Sequence, residues 1–128
     1  MNSRKIVAKI IALSLFPLAM AGCGGEQSVS FSQDVKPILD QHCMKCHQAG
    51  GEGTVASGFA MDSYENLMKG TRNGPMVIAG DVEGSNLLVL MEGRADPSIS
   101  MPHGQQESVP KVEIQTVRQW IGQGAKNN

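Results

Sequence analysis

The sequence is short of aromatic residues, cysteine and net charge, and each shortage narrows the protein classes to which the chain can belong. Aromatic residues make up 4% of the 128 residues. A small core with so few large side chains is easier to stabilise around a large apolar cofactor than alone. Three cysteines leave no second cysteine pair for a four-ligand structural zinc site. The formal net charge of −1 argues against nucleic acid as a partner, because nucleic-acid binding needs a basic surface.

The N-terminal residues have the pattern of a secretory signal. Three basic residues up to Lys9 precede an apolar stretch, Ile10 to Met20, which is too short to span a bilayer comfortably. The small residues Ala21 and Gly22 then lead into Cys23, which resembles the lipobox of bacterial lipoproteins. We therefore predict a lipoprotein signal peptide at residues 1–22, lipid on Cys23, and a lipidated tether over 23–30. Two acyl chains or more would give stable anchoring, and no later apolar run is long enough to cross a membrane.

The five residues from Cys43 to His47, with the sequence CMKCH, form the most informative motif. Cysteines at i and i+3 lie on one side of a helical turn, so both sulfurs can reach the two vinyl groups of one porphyrin. The histidine that follows the second cysteine can then bind the iron from below. The motif predicts one covalently attached haem c per chain, with Cys43 and Cys46 as anchors and His47 as proximal ligand. With Cys23 lipidated, no thiol is left over.

Two other uses of a cysteine pair fit less well. A zinc site would need more ligands, and His42 and His103 are the only other histidines. A redox dithiol of the thioredoxin type follows a strand in a βαβ unit, and no such pattern surrounds Cys43.

Apolar residues at helical spacing predict an all-α domain of about four short helices. The first runs from Ser32 to Cys46, with His42 expected on its exposed face. The second starts at Asp62 with Glu65 in a capping box, and the third runs from Ser85 to Gly93. The last is capped by Ser108 and ends at Gly122 or Gly124.

The sixth iron ligand has several candidates, which are Met44, Met61, Met68, Met76, Met91, Met101, His42 and His103. Met101 is the best of them, because Pro102 biases it away from helix and toward a loop between two helices. Methionine on apolar helical positions is more often core filler. His103 remains the alternative, since both residue types serve as axial ligands.

The order of the motifs resembles the single-haem, planctomycete-type cytochrome c domain. The motifs are the segment Phe31–Leu39, the CMKCH motif, Met101-Pro102, and the terminal WIGQGA segment. The resemblance implies a small cytochrome c-like fold over residues 31–126, with the first and last helices packed across each other. It also implies Cys43 and Cys46 as thioether anchors, with His47 and Met101 as axial ligands. Gly74-Pro75 is expected to supply the acceptor for the other ring nitrogen of His47.

These features predict a periplasm-facing, single-haem carrier that shuttles one electron between redox partners at a bacterial membrane surface. The expected partners are a redox protein donor and acceptor and the membrane, through the N-terminal lipid; nucleic acid is not expected. One alternative is a haem enzyme or gas sensor with an open sixth position. Another is a fixed electron-transfer subunit of a larger oxidoreductase.

Overall fold

The computed structural model describes residues 27–104 and 107–128, and this part of the chain is entirely helical apart from loops and two isolated bridges. The predicted signal peptide and Cys23 lie outside the described residues. The elements in order are a π-helical turn (Phe31–Val35), α1 (Lys36–His42), α2 (Met44–His47), α3 (Glu52–Ser57), α4 (Tyr64–Lys69), α5 (Asn86–Met91) and α6 (Lys111–Gly122). The expected all-α class is confirmed.

The predicted first helix is divided into three elements. Ser30 caps the π-helical turn, because its hydroxyl oxygen accepts a hydrogen bond from the backbone N–H of Gln33. Pro37 lies in the first turn of α1, where a residue without an N–H loses no intrahelical bond. Cys43, at φ −118°, separates α1 from α2.

The later helices lie near their predicted positions, but two caps differ. Ser63, and not Asp62, caps α4, and its hydroxyl accepts from the N–H of Asn66. The predicted capping box, with Asp62 as the cap and Glu65 three residues later, was therefore wrong, because the cap lies one residue further along the chain. Helix α6 begins after Pro110, two residues beyond the predicted cap at Ser108.

Three aromatic side chains hold the first and last helical elements together. The rings of Phe31 and Trp120 have centroids 5.5 Å apart, and Tyr64 meets Phe31 edge-on at 5.2 Å. The Tyr64 hydroxyl donates to the Ala125 carbonyl, and the Trp120 indole N–H donates to the Lys126 carbonyl. The expected packing of the first helix against the last is present, and it uses three of the four aromatic side chains that follow Cys23.

The two ends of α6 contact opposite ends of the first helical segment. Near its end, the side chain of Gln123 accepts from the N–H of Val29 (2.8 Å) and donates to the carbonyl of Gln27 (3.0 Å). Near its beginning, Glu113 is 2.7 Å from the ring nitrogen Nε2 of His42. The expectation that His42 would be an exposed residue was wrong, because α6 covers it. The described part of the predicted tether, residues 27–30, is likewise hydrogen bonded to the domain.

Ion pairs connect the end of α5 to α6. Arg118 bonds Glu92 at 2.7 Å and Glu83 at 2.9 Å, and Arg94 contacts the same two carboxylates. No helix in the described ranges is long and apolar enough to span a membrane.

Candidate haem-binding site

One large apolar cavity lies beside the CMKCH motif, with a volume of about 410 Å³. The side chains that line it include Cys43, Cys46 and His47 on the motif, Leu87, Leu90 and Met91 on α5, and Met101 and His103 on the loop before α6. The structure therefore brings every predicted haem-binding residue to one cavity. It also brings His103, the alternative distal ligand, to the same place.

The two cysteines occupy different environments within the motif. Burial raises the pKa of the Cys43 thiol to about 11, and the neighbouring Cys46 adds to this increase. The Cys46 sulfur lies 3.3 Å from a carboxylate oxygen of Glu52. A nucleophilic redox dithiol needs a thiol pKa below its ordinary value, so the raised pKa of Cys43 disfavours that use of the pair. Within residues 27–104 and 107–128, no group of three or more His, Cys, Asp or Glu side chains is placed to hold a metal ion.

The loop after α3 orients His47. The ring nitrogen Nδ1 of His47 is 2.8 Å from the carbonyl oxygen of Phe59. A carbonyl can only accept, so the proton is on Nδ1 and the lone pair of a neutral ring is on Nε2, the atom available to iron. The backbone N–H of Met61 donates to the His47 carbonyl, and the Phe59 ring packs edge-on at 5.5 Å. The sequence expectation that Gly74-Pro75 would supply this acceptor was wrong.

Helix α3 passes very close to the haem attachment motif, and two glycines permit this approach. A Cβ atom on Gly51 would lie 2.4 Å from the carbonyl oxygen of Cys46. A Cβ atom on Gly53 would lie 2.9 Å from both Cε1 and Nε2 of His47. Carbon atoms in contact are ordinarily about 3.5–4.0 Å apart. Neither position accepts a side chain unless the motif moves.

Arg72 closes the other end of α3. Its guanidinium donates to the carbonyl oxygens of Val55 and Ala56, and its backbone N–H donates to that of Ser57. These carbonyls belong to the last turn of the helix, where no intrahelical donor reaches them. Arg72 therefore fixes α3 against the cavity from a position that the sequence patterns did not single out.

Met101 and His103 differ in burial. The Met101 side chain is half-buried and its backbone N–H donates to the carbonyl of Leu90 at 3.3 Å, whereas His103 is exposed. Met61, Met76 and Met91 also line the cavity. The sequence predicted Met61, Met68 and Met91 as core filler on helical positions. Met61 and Met91 are buried in the core and Met68 packs against it, although Met61 does not lie on a helix. Met76 is half-buried.

The residues at this cavity fit a covalently bound haem. Two thiols three residues apart would hold its edge, a histidine with Nδ1 already bonded would present Nε2 to the iron, and apolar side chains would cover the porphyrin. The fit depends on the donor set and on the apolar lining together. Zinc would use the same thiols but has no need of the apolar walls.

Comparison with known proteins agrees with this fit. Residues 43–104 match the family model described as planctomycete cytochrome C. No curated protein and no solved structure matches the chain. The matched range begins at the first cysteine of the CMKCH motif and extends past Met101 and His103, so it includes every lining residue named above. Residues 43–104 are therefore similar to the planctomycete cytochrome C family, and the match supports a c-type cytochrome domain in this part of the chain.

Proposed function

We propose that this protein carries one haem c per chain and transfers single electrons between redox proteins at the periplasmic face of a bacterial membrane. The observation that supports the proposal most strongly is the convergence of Cys43, Cys46, His47 and Met101 on one apolar cavity. When bound, haem would supply a one-electron couple, ferric to ferrous.

Each residue has a separate task in this proposal. Cys43 and Cys46 hold the porphyrin covalently, so the cofactor stays with the chain through each turnover. His47 binds the iron through Nε2, while its Nδ1–H bond to Phe59 fixes the orientation of the ring and makes it a stronger donor. Met101 would be the second protein ligand of the iron and would exclude exogenous ligands. Methionine ligation and an apolar cavity both favour a relatively high reduction potential.

The proposed lipid on Cys23 would hold the protein at the membrane surface. A chain anchored there remains near its redox partners, which raises its effective concentration. This part of the proposal rests on the N-terminal sequence pattern.

The Met101 assignment is tested with the full-length, haem-loaded protein by optical spectroscopy, with and without CO. We expect a low-spin parent spectrum with a methionine–iron charge-transfer band and no CO binding. The variant Met101→Ala loses the band and binds CO, because the sixth position is then open.

Met76→Ala is the matched control, since Met76 lines the same cavity and is also half-buried. It should keep the parent spectrum. A parent protein that already binds CO would instead support the enzyme or sensor alternative. An unchanged Met101→Ala spectrum together with a changed His103→Ala spectrum would assign the sixth position to His103.

A further inference from the structure

The carbonyl oxygen that accepts the hydrogen bond from His47 has a second donor. Nδ1 of His47 donates to the Phe59 carbonyl oxygen at 2.8 Å, and the hydroxyl of Thr54 donates to the same oxygen at 3.1 Å. A carbonyl oxygen has two lone pairs, so these two donors together use its whole capacity as an acceptor. The predicted proximal histidine and one side chain of α3 therefore share a single backbone acceptor.

Hydrogen bonds on both sides hold Phe59 in place without help from Thr54. The backbone N–H of Phe59 donates to the hydroxyl oxygen of Ser57 at 3.0 Å. Two residues further along the chain, the N–H of Met61 donates to the His47 carbonyl at 2.9 Å. The Phe59 side chain is buried as well. We therefore expect the Phe59 carbonyl to keep its position beside His47 when the Thr54 hydroxyl is removed.

The two donors compete for the electron density of the shared oxygen. Hydrogen bonds that share a group polarise one another. The Thr54 hydroxyl draws electron density from the Phe59 carbonyl oxygen, which leaves that oxygen a weaker acceptor for the Nδ1–H of His47. A histidine whose Nδ1–H bond is weaker is also a weaker donor through Nε2. Thr54 thus acts on the Nε2 atom of His47 through one backbone carbonyl.

We propose that Thr54 is a positioning residue for His47, whose hydroxyl weakens the Nδ1–H bond to Phe59 and thereby raises the reduction potential of the haem iron. A weaker histidine donor stabilises the ferric state less than a stronger one does, because the ferric ion carries more positive charge. Sharing the acceptor therefore favours the ferrous state, which is also the direction of methionine ligation. The inference rests on the proposed function, in which His47 is an axial ligand.

The inference is tested with Thr54→Val in the full-length, haem-loaded protein. Valine keeps the branched shape of threonine and removes the hydroxyl, so the Phe59 carbonyl is left to His47 alone. A redox titration followed by absorbance gives the midpoint potential of the parent and of the variant. We expect the equilibrium constant for reduction to fall about threefold, which lowers the midpoint potential by ~28 mV at about 59 mV per tenfold change. The change is small because one neutral hydrogen bond is strengthened and none is lost by His47.

Proton NMR of the ferrous protein gives a second readout, which a merely structural role of Thr54 would not move in this direction. In Thr54→Val the Nδ1–H resonance of His47 should shift downfield, as a stronger hydrogen bond requires. Thr54→Ser restores a hydroxyl at the same position and should return both the resonance and the potential to the parent values. If Thr54→Val does not fold, as judged by circular dichroism, Thr54→Ala removes the same hydroxyl and carries the same expectation.

Thr116→Val is the matched control for the loss of a threonine hydroxyl. The Thr116 hydroxyl donates to the Val112 carbonyl at 3.1 Å, which is the same kind of bond at the same distance as the bond from Thr54 to Phe59. Neither Thr116 nor Val112 lines the cavity. The control should therefore keep the midpoint potential and the Nδ1–H resonance of the parent.

The possible outcomes separate this inference from the proposed function. A hydroxyl-free variant with the parent potential and resonance would overturn the inference and leave the carrier function intact. A potential that rises together with an upfield shift would also overturn it, because the Thr54 hydroxyl would then support the His47 bond. A parent protein that does not titrate as a one-electron couple would refute the proposed function itself, and this inference with it.

Discussion

The substitution Gly53→Ala tests how closely α3 approaches the proximal histidine. In an ordinary helix this change is stabilising, because alanine is favoured over glycine by up to about 1 kcal/mol. Gly53 is the second residue of α3, and the new Cβ would lie 2.9 Å from the Cε1 and Nε2 atoms of His47. Helix propensity therefore predicts that the substitution raises the free energy of unfolding, whereas the steric overlap predicts that it lowers this free energy.

The overlap should outweigh the propensity. The gap to an ordinary carbon contact is about 0.6–1 Å, and His47 is buried and bonded to Phe59, so its ring has little freedom to move. The Cys46 carbonyl oxygen, 3.0 Å from the same Cβ, is backbone and cannot rotate away. Forcing one extra carbon into a packed site costs about 1–3 kcal/mol. We expect a net loss of ~1–2 kcal/mol in the free energy of unfolding, together with a larger high-spin fraction as the imidazole tilts.

Urea unfolding followed by circular dichroism measures the stability, and the optical spectrum reports the iron. The matched control is Gly122→Ala at the end of α6, where the new Cβ meets only Cγ2 of Val82, at 3.3 Å. That control should change the free energy of unfolding by less than about 0.5 kcal/mol and leave the spectrum unchanged. A Gly53→Ala protein that is as stable as its parent, with the parent spectrum, would refute the argument.

Two other predictions concern the support of α5. Ser85 is fully buried, and its hydroxyl accepts from the Ile78 N–H (2.9 Å) and donates to the Asp81 carbonyl (2.6 Å). Ser85→Ala should lower the free energy of unfolding by about 1 kcal/mol because the Ile78 N–H and the Asp81 carbonyl lose the bonds they make to the Ser85 hydroxyl. The exposed control Ser98→Ala should stay within about 0.5 kcal/mol, and equal effects in urea unfolding would contradict the prediction. Burial raises the pKa of Glu92, but hydrogen bonds and charge from Arg118 and Arg94 outweigh this and hold that pKa below its ordinary value of 4.5. An ionised Glu92 stabilises the fold at pH values above 4.5, and this contribution is lost as the pH falls through the lower pKa that Glu92 has in the folded protein. The destabilisation by Arg118→Gln should therefore be largest near neutral pH and shrink below pH 4.5. A loss of stability that does not vary between neutral and acidic pH would assign Arg118 a packing role alone.

Local patterns in the sequence predicted the elements and motifs whose cause is local. The apolar spacing of Leu87, Leu88 and Met91 places α5 where the structure has it. The spacing of Cys43, Cys46 and His47 is itself a helical turn, so their convergence on one face needed no tertiary information.

Features that depend on contacts distant in the chain were missed. Helix α3 contains Gly53 and follows Gly51, both poor helix formers, and it is held by Arg72 from 15 or more residues away. The acceptor for His47 is the backbone carbonyl of Phe59. Every residue has a backbone carbonyl, so no residue type in the sequence indicates which one accepts. His42 was expected to be exposed because its partner, Glu113, is 71 positions later.

The hydrogen bonds between the two ends of the domain also constrain the order in which the chain can fold. Ser32 donates to the Asn128 carbonyl and Val29 to Gln123, across sequence separations of more than 90 residues. If the chain is exported from its N-terminus, as its signal-like sequence predicts, these contacts can form only after nearly all of the domain has emerged, and such long-range contacts are slow to form. The cysteines of the CMKCH motif emerge much earlier. Export would therefore leave an interval in which both thiols are accessible to haem before the closing of the fold partly buries Cys43.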